Sequence, residues 1–236
     1  MSDPLHRTPT PYDELIYPAD WRSWRDPDVP VWLDPVGWLL DRHADTSIAA
    51  KPAIICDGEM VTYAQLIERV AHYSSALAGL GLGLEQRLLL FGTDSLDYVT
   101  IWLAAVRLGA VPVVISDLYK AKDLAYFLTD TGVPLLFIDQ EQLPKLLDIS
   151  DDLPSSLTTV LVRGEISAEL TKRLPGRSAV ALQAALAVGG APIAAHQRHA
   201  NDVTYMFYSG GTTGTAKGIT HLAHDFVLIP ERQGQF

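Results

Sequence analysis

Between residues 53 and 188, short apolar runs alternate with longer stretches in which apolar residues return every three or four positions, the respective periods of strands and helices. A strand is predicted over 53–56, closed by the turn pair Asp57-Gly58. Thr62, followed three residues on by Gln65, reads as a capping box in which each side chain satisfies an N–H at a helix start. Leu66, Val70, Tyr73, Leu77 and Leu80 then share one helical face, and Gly81 ends the helix. Residues 87–91 predict a buried strand, and Asp94 or Ser95 caps a helix that runs to Leu108 and stops at Gly109. The continuous, largely β-branched run 111–115 suits a strand covered on both faces. A helix over 121–131, a strand over 135–138, a short helix broken at Pro144, a strand over 158–162 and alanine-rich helical segments up to Val188 follow. A last strand-like run covers 203–208. Strands alternating with helices imply crossovers between parallel neighbours, so the expected class is α/β: a doubly wound, mainly parallel sheet with flanking helices.

Composition adds limits to this picture. Of the 236 residues 48% are apolar, enough for a buried core, and 19% are charged, too few for a disordered chain. Residues 1–36 hold seven of the fifteen prolines and three of the five tryptophans (Trp21, Trp24, Trp32). Proline density argues against regular structure there, and the tryptophan rings argue for burial against a surface. The stretch is expected to be an extended arm that wraps the domain formed by 37–236 or meets a partner subunit, which leaves a homo-oligomer open. A net charge of −10 disfavours nucleic acid and anionic membranes as partners. The single cysteine, Cys56, permits no internal disulfide and is expected to be a buried structural thiol. The N-terminus carries no apolar signal segment, and residues 179–195 are interrupted by Gln183, Gly189-Gly190 and Pro192 and fail as a membrane span, so a cytoplasmic location is expected.

The densest candidate chemistry lies at Ser209-Gly210-Gly211-Thr212-Thr213-Gly214-Thr215-Ala216-Lys217-Gly218, with four glycines, four hydroxyls, one lysine and no acid. Glycines let backbone N–H groups turn inward around an anion, hydroxyls donate to phosphate oxygens, and an ammonium adds a mobile charge. Directly after a strand-like run, this is the composition of a phosphate loop. It is not a Walker A loop, because Lys217 lies between Ala216 and Gly218, and no G-x-G-x-x-G dinucleotide fingerprint is present.

Residues 208–218, YSGGTTGTAKG, resemble the signature Y-S/T-S-G-T/S-T-G-x-P-K-G of the AMP-forming adenylate ligases, which include acyl- and aryl-CoA synthetases, peptide-synthetase adenylation domains and luciferases. Gly210 stands where that family usually has Ser, and Ala216 where it usually has Pro, which frees the backbone before Lys217. Further ordered matches cover residues 50–225. VTYAQL at 61–66 resembles the family's "TYxEL" helix start. GLGLEQRL at 81–88 resembles its "GVxxGDRV" turn, with Gln86 replacing Asp. WLAAVRLGAVPV at 102–113 resembles "xLAxxKxGAVxVP". The overall look is nearest the benzoate and medium-chain acyl-CoA ligases.

The resemblance implies an incomplete large N-terminal domain of such a ligase. Its reaction would activate a small-molecule carboxylate with ATP and Mg²⁺ to an acyl-adenylate, then transfer the acyl group to coenzyme A. Ser209, Gly210, Gly211, Thr212, Thr213, Gly214 and Lys217 would grip the β- and γ-phosphates, and His221 could approach as a second layer. The family's adenine-contacting motif and catalytic lysine follow the loop, so no catalytic residue is expected within residues 1–236, and the chain alone is expected to be inactive. Val227-Leu228-Ile229 looks like the opening of another buried element. Transfer to a carrier protein instead of coenzyme A, and a non-catalytic half-protein that binds nucleotide or a partner, are the alternatives. The pairs His196/His199 and His221/His224 lack the further ligands of a zinc site. Ser95, Asp94 and His72 supply the residue types of a hydrolase triad without a G-x-S-x-G elbow, and Ser95 is explained as a helix cap.

Overall fold

The computed structural model describes residue 26, residues 28–209 and residues 215–233. In chain order the first elements are β1 (Trp32–Leu33), α1 (Pro35–Leu39), β2 (Pro52–Cys56), β3 (Glu59–Thr62) and α2 (Tyr63–Gly79). Then come β4 (Arg87–Phe91), α3 (Leu96–Arg107), β5 (Val111–Val114), α4 (Ala121–Thr131), β6 (Leu135–Asp139), α5 (Leu143–Asp148), β7 (Thr159–Arg163) and α6 (Ala168–Arg173). The last are β8 (Ser178–Ala181), α7 (Leu182–Val188), β9 (Arg198–His199), β10 (Val203–Ser209), β11 (Lys217–Leu222) and α8 (Asp225–Gln233).

Seven strands form the main sheet in the order β11-β10-β5-β4-β6-β7-β8. Every pairing is parallel except β10 with β11, which is antiparallel. The chain moves from β4 to β5 on one side and then crosses to β6 on the other, the reversal that defines a doubly wound sheet. Alternation along the strands feeds two cores. Leu88, Leu90, Leu135, Phe137 and Leu161 pack with α2 and α3, whereas Leu89, Phe91, Leu136, Ile138, Val160 and Val162 pack with α4, α5 and α6. Leu88, Leu89, Leu90 and Leu136 are fully buried, each worth about 2 kcal/mol of apolar transfer.

Local signals in the sequence are realised where they are strong. Thr62 Oγ1 accepts from Gln65 N at 3.3 Å while Gln65 Oε1 accepts from Thr62 N at 2.9 Å, and Ser95 Oγ accepts from Tyr98 N at 3.1 Å. Helix 121–131 has its predicted bounds.

Several expectations need correction. The strand at 52–56 is outside the main sheet: it pairs with β3 in a separate hairpin around Asp57 and Gly58, whose φ of 50° and 81° give the left-handed pair of a tight hairpin turn. Cys56 there is half-buried at the margin of the core. Pro144 begins a helix instead of breaking one, because it sits in the first turn of α5, where no N–H is required. The alanine-rich segment contains β8, which alanine propensity hides and pairing with β7 imposes. The element expected to open at 227–229 needs no correction: it is helix α8, in which Val227 is buried. Trp21 and Trp24 lie outside the described residues. Trp32, in the proline-rich stretch, is in β1, which pairs with β9, and Pro35 opens α1, so regular structure begins before residue 37. No helix among the described residues is long and apolar enough to cross a membrane.

Candidate functional site

Strand β10 lies between β5 and β11, and because it is parallel to β5 its last residue, Ser209, reaches the carboxyl edge of the sheet. Ser209 pairs with Lys217, the first residue of β11, and both are exposed. Gly210, Gly211, Thr212, Thr213 and Gly214 lie between them, outside the described residues. Ser209 and Lys217 are thus brought together at the root of the segment.

That root is held from one face of α4. The Tyr208 hydroxyl donates to the Asp130 carboxylate, and the Tyr126 hydroxyl donates to the Ala216 carbonyl at 3.0 Å. Burial first, and then the bond to Asp130, push the Tyr208 hydroxyl's pKa upward, so it stays a donor at neutral pH. Phe127 packs edge-on to Tyr208 with ring centroids 4.7 Å apart. Gly218 pairs with Tyr208, and a Cβ there would come within 3.1 Å of Met206 and 3.3 Å of Tyr208, so glycine permits the close strand approach. Neither Tyr126 nor Asp130 was singled out by the sequence. Their spacing of four, which puts two side chains on one helical face, is the only signal that could have found them.

His221 lies further down the hairpin, opposite Tyr205 and about 13 Å from the Lys217 end at strand rise. Its ring stacks on Tyr205 at 4.4 Å, and its Nδ1 lies 2.9 Å from Asp225 Oδ2. His224 Nε2 lies 3.3 Å from Asp225 Oδ1. Burial raises the Asp225 carboxyl, but hydrogen bonds from His224 and His221 outweigh it and leave the pKa below the ordinary aspartate value. Burial pushes the Tyr205 phenol up to about 12. The surroundings of His221 are therefore aromatic and structural. Among the described residues no three His, Cys, Asp or Glu side chains gather so as to hold a metal ion.

Two further polar clusters flank the sheet. At the carboxyl end of β6, the fully buried Asp139 accepts from Thr93 N at 2.8 Å, Thr93 Oγ1 at 2.9 Å, Arg163 Nε at 2.7 Å and Arg163 Nη2 at 2.5 Å. Gly92 lies so close that a Cβ would meet Asp139 at 2.7 Å. At the opposite edge, Arg198 is only 4% exposed, and burial lowers its pKa against the raising fields of Asp202, Glu85 and Asp34. Its Nη1 donates to Val203 O and Thr204 Oγ1, and the cavity beside it, of about 30 Å³, is of water size and far below that of a nucleotide site.

A family model described as "AMP-binding enzyme" matches residues 40–228. The 4-hydroxybenzoate--CoA/benzoate--CoA ligase of Rhodopseudomonas palustris is 31% identical over 197 residues, covering 84% of this chain and 35% of that protein. A benzoate--CoA ligase of Thauera aromatica is 30% identical over 194 residues, covering 82% and 34%. Among solved structures, an anthranilate CoA ligase in complex with anthranoyl-AMP matches with a TM-score of 0.77 at 29% identity, covering 88% of this chain and 38% of that one. A benzoate CoA ligase from Burkholderia xenovorans, with a TM-score of 0.69 at 23% identity over 84% of this chain and 36% of that one, shares the fold. The chain spans about a third of the length of the curated relatives it matches.

Proposed function

Since the chain belongs to the AMP-binding enzyme family, we propose that it carries the ATP phosphate-binding part of an AMP-forming acyl- or aryl-CoA ligase. In that reaction a carboxylate oxygen attacks the α-phosphorus of ATP, the bond to the bridging oxygen breaks, and pyrophosphate leaves. The thiol of coenzyme A then attacks the acyl carbonyl, and AMP departs with the electron pair of the mixed anhydride.

The observation that carries this reading is the exposed Ser209–Lys217 pair at the carboxyl edge of the sheet, closing a glycine- and threonine-rich segment whose root is tied to α4. In the proposed roles, Ser209, Thr212 and Thr213 donate hydroxyl hydrogen bonds to phosphate oxygens. Gly210, Gly211 and Gly214 present backbone N–H groups, and Lys217 offsets charge on the departing pyrophosphate. Magnesium arrives with ATP as part of the substrate, held by phosphate oxygens, as a hard cation prefers. His221, stacked on Tyr205 and bonded to Asp225, supports the hairpin from below.

An aromatic carboxylate is the substrate class this reading favours, supported by relatives named for benzoate and hydroxybenzoate. Coenzyme A is favoured over a carrier protein as acceptor for the same reason. An N-terminal arm ahead of the domain, a cytoplasmic location and homo-oligomer formation belong to the proposal as well.

The test is equilibrium binding of Mg-ATP to the 236-residue chain and to Lys217→Ala, followed by a thioester assay with benzoate, octanoate and coenzyme A. Weak Mg-ATP binding that Lys217→Ala reduces about tenfold or more, with no thioester from the chain alone, is expected. Binding indifferent to Lys217 refutes the phosphate role, and robust thioester formation refutes the inactivity of the chain by itself.

A further inference from the structure

Tyr126 is half-buried on α4, packed against the core, and among the described residues its hydroxyl makes one specific bond: it donates at 3.0 Å to the carbonyl of Ala216, the residue before Lys217. We propose that Tyr126 is a positioning residue for Lys217, fixing the direction in which the chain enters β11 and hence where the ammonium is presented. This rests on the phosphate-binding reading of the previous subsection.

Three observations support it. First, the donor itself is rigidly mounted. Phe127, next to Tyr126, is fully buried with Leu124 and Leu128, and the Tyr126 ring lies 5.4 Å from Phe127 and 6.4 Å from Tyr208. Second, Ala216 packs against the same core cluster as α4, so its carbonyl is held at a defined surface and not out in solvent. Third, Asp130, one helical turn on from Tyr126, takes the hydroxyl of Tyr208, the residue before Ser209. One face of α4 therefore grips the residue preceding each of the paired residues Ser209 and Lys217, and the pair is set from outside the hairpin. Alanine at 216 leaves φ free where the signature quoted above has a proline ring, and a hydrogen bond to its carbonyl restrains the same residue by another route.

The test is amide hydrogen exchange on the full chain. In Tyr126→Phe, exchange at Lys217, Gly218 and Ile219 is expected to rise about threefold to tenfold, as for the loss of one hydrogen bond to a local opening. Exchange in β4 to β7 and the melting temperature should stay as in the wild type. Asp130→Asn should instead accelerate Tyr208 and Ser209. Adding Ala216→Pro to Tyr126→Phe should return exchange at 217–219 to wild-type rates, and Mg-ATP affinity, reduced about threefold by Tyr126→Phe, should return with it. Should the proline variant fold poorly, the contrast between Tyr126→Phe and Asp130→Asn decides alone. Unchanged exchange at 217–219 in Tyr126→Phe, or a uniform acceleration over the whole sheet, overturns the proposal. The phosphate reading fails separately, through Lys217→Ala leaving Mg-ATP affinity intact while the exchange pattern holds.

Discussion

Two polar clusters lie at the carboxyl edge of the same sheet, and they are built in opposite ways. At the reversal between β4 and β6, where doubly wound sheets commonly leave a ligand crevice, Asp139 is fully buried and takes four hydrogen bonds from Thr93 and Arg163. Three strands away, at the end of β10, Ser209 and Lys217 are exposed, and the anchoring bonds are made by their neighbours Tyr208 and Ala216. One cluster closes the sheet by satisfying its own groups. The other is anchored one residue back, which leaves its hydroxyl and ammonium free to meet a ligand. At the reversal point the polar groups are paired with one another, whereas the proposed chemistry lies at the antiparallel hairpin added to the sheet's edge.

The largest expected effect breaks the paired side. Asp139→Ala removes the partner of a charged guanidinium and both bonds to Thr93, and should cost about 3 kcal/mol of unfolding free energy in urea melts. A loss below about 1 kcal/mol would make the two clusters alike after all. On the open side, Lys217→Ala should lower Mg-ATP affinity about tenfold while shifting unfolding free energy by less than about 0.5 kcal/mol.

Asp225 sharpens the contrast from the inner end of the hairpin, since it is paired like Asp139 but is less buried. Its carboxyl pKa is depressed in the fold, so its contribution is present above the unfolded value of about 3.9 and is lost as pH falls through the folded value. Asp225→Asn should be less stable than wild type by about 1 kcal/mol between pH 5 and 7, with the gap closing below pH 4. Urea melts at several pH values check this.

The smallest effect concerns the amino edge. Glu85 has φ of 58°, at the place where the quoted "GVxxGDRV" pattern has glycine. Glu85→Gly relieves a left-handed side chain at some entropic cost, and should leave stability unchanged or raise it by up to about 1 kcal/mol. Thermal melts of the two proteins are the check.

The parts of this architecture legible in the sequence are those specified by neighbours in the chain. The Thr62–Gln65 box, the stops at Gly81 and Gly109 and the helix 121–131 each need only a few adjacent residues. Strand β3, hidden behind a two-residue turn, and strand β8, written in alanines, exist because partners pair with them, and no local signal reports a partner. The same holds for the polar clusters: Thr93 and Asp139 are 46 residues apart, and Tyr126 and Ala216 are 90 apart. The hydroxyl, glycine and lysine content of 209–218 is visible at once, whereas what anchors its ends is written in α4.

The measurement that bears most directly on the proposed phosphate site is an amide chemical-shift titration of the chain with magnesium tripolyphosphate. Perturbations concentrated between Ser209 and Gly218 are expected, with Gly92, Thr93 and Asp139 unmoved. Perturbations centred on Gly92 to Thr93 and Asp139, or none between Ser209 and Gly218 at saturating ligand, would contradict the proposed site.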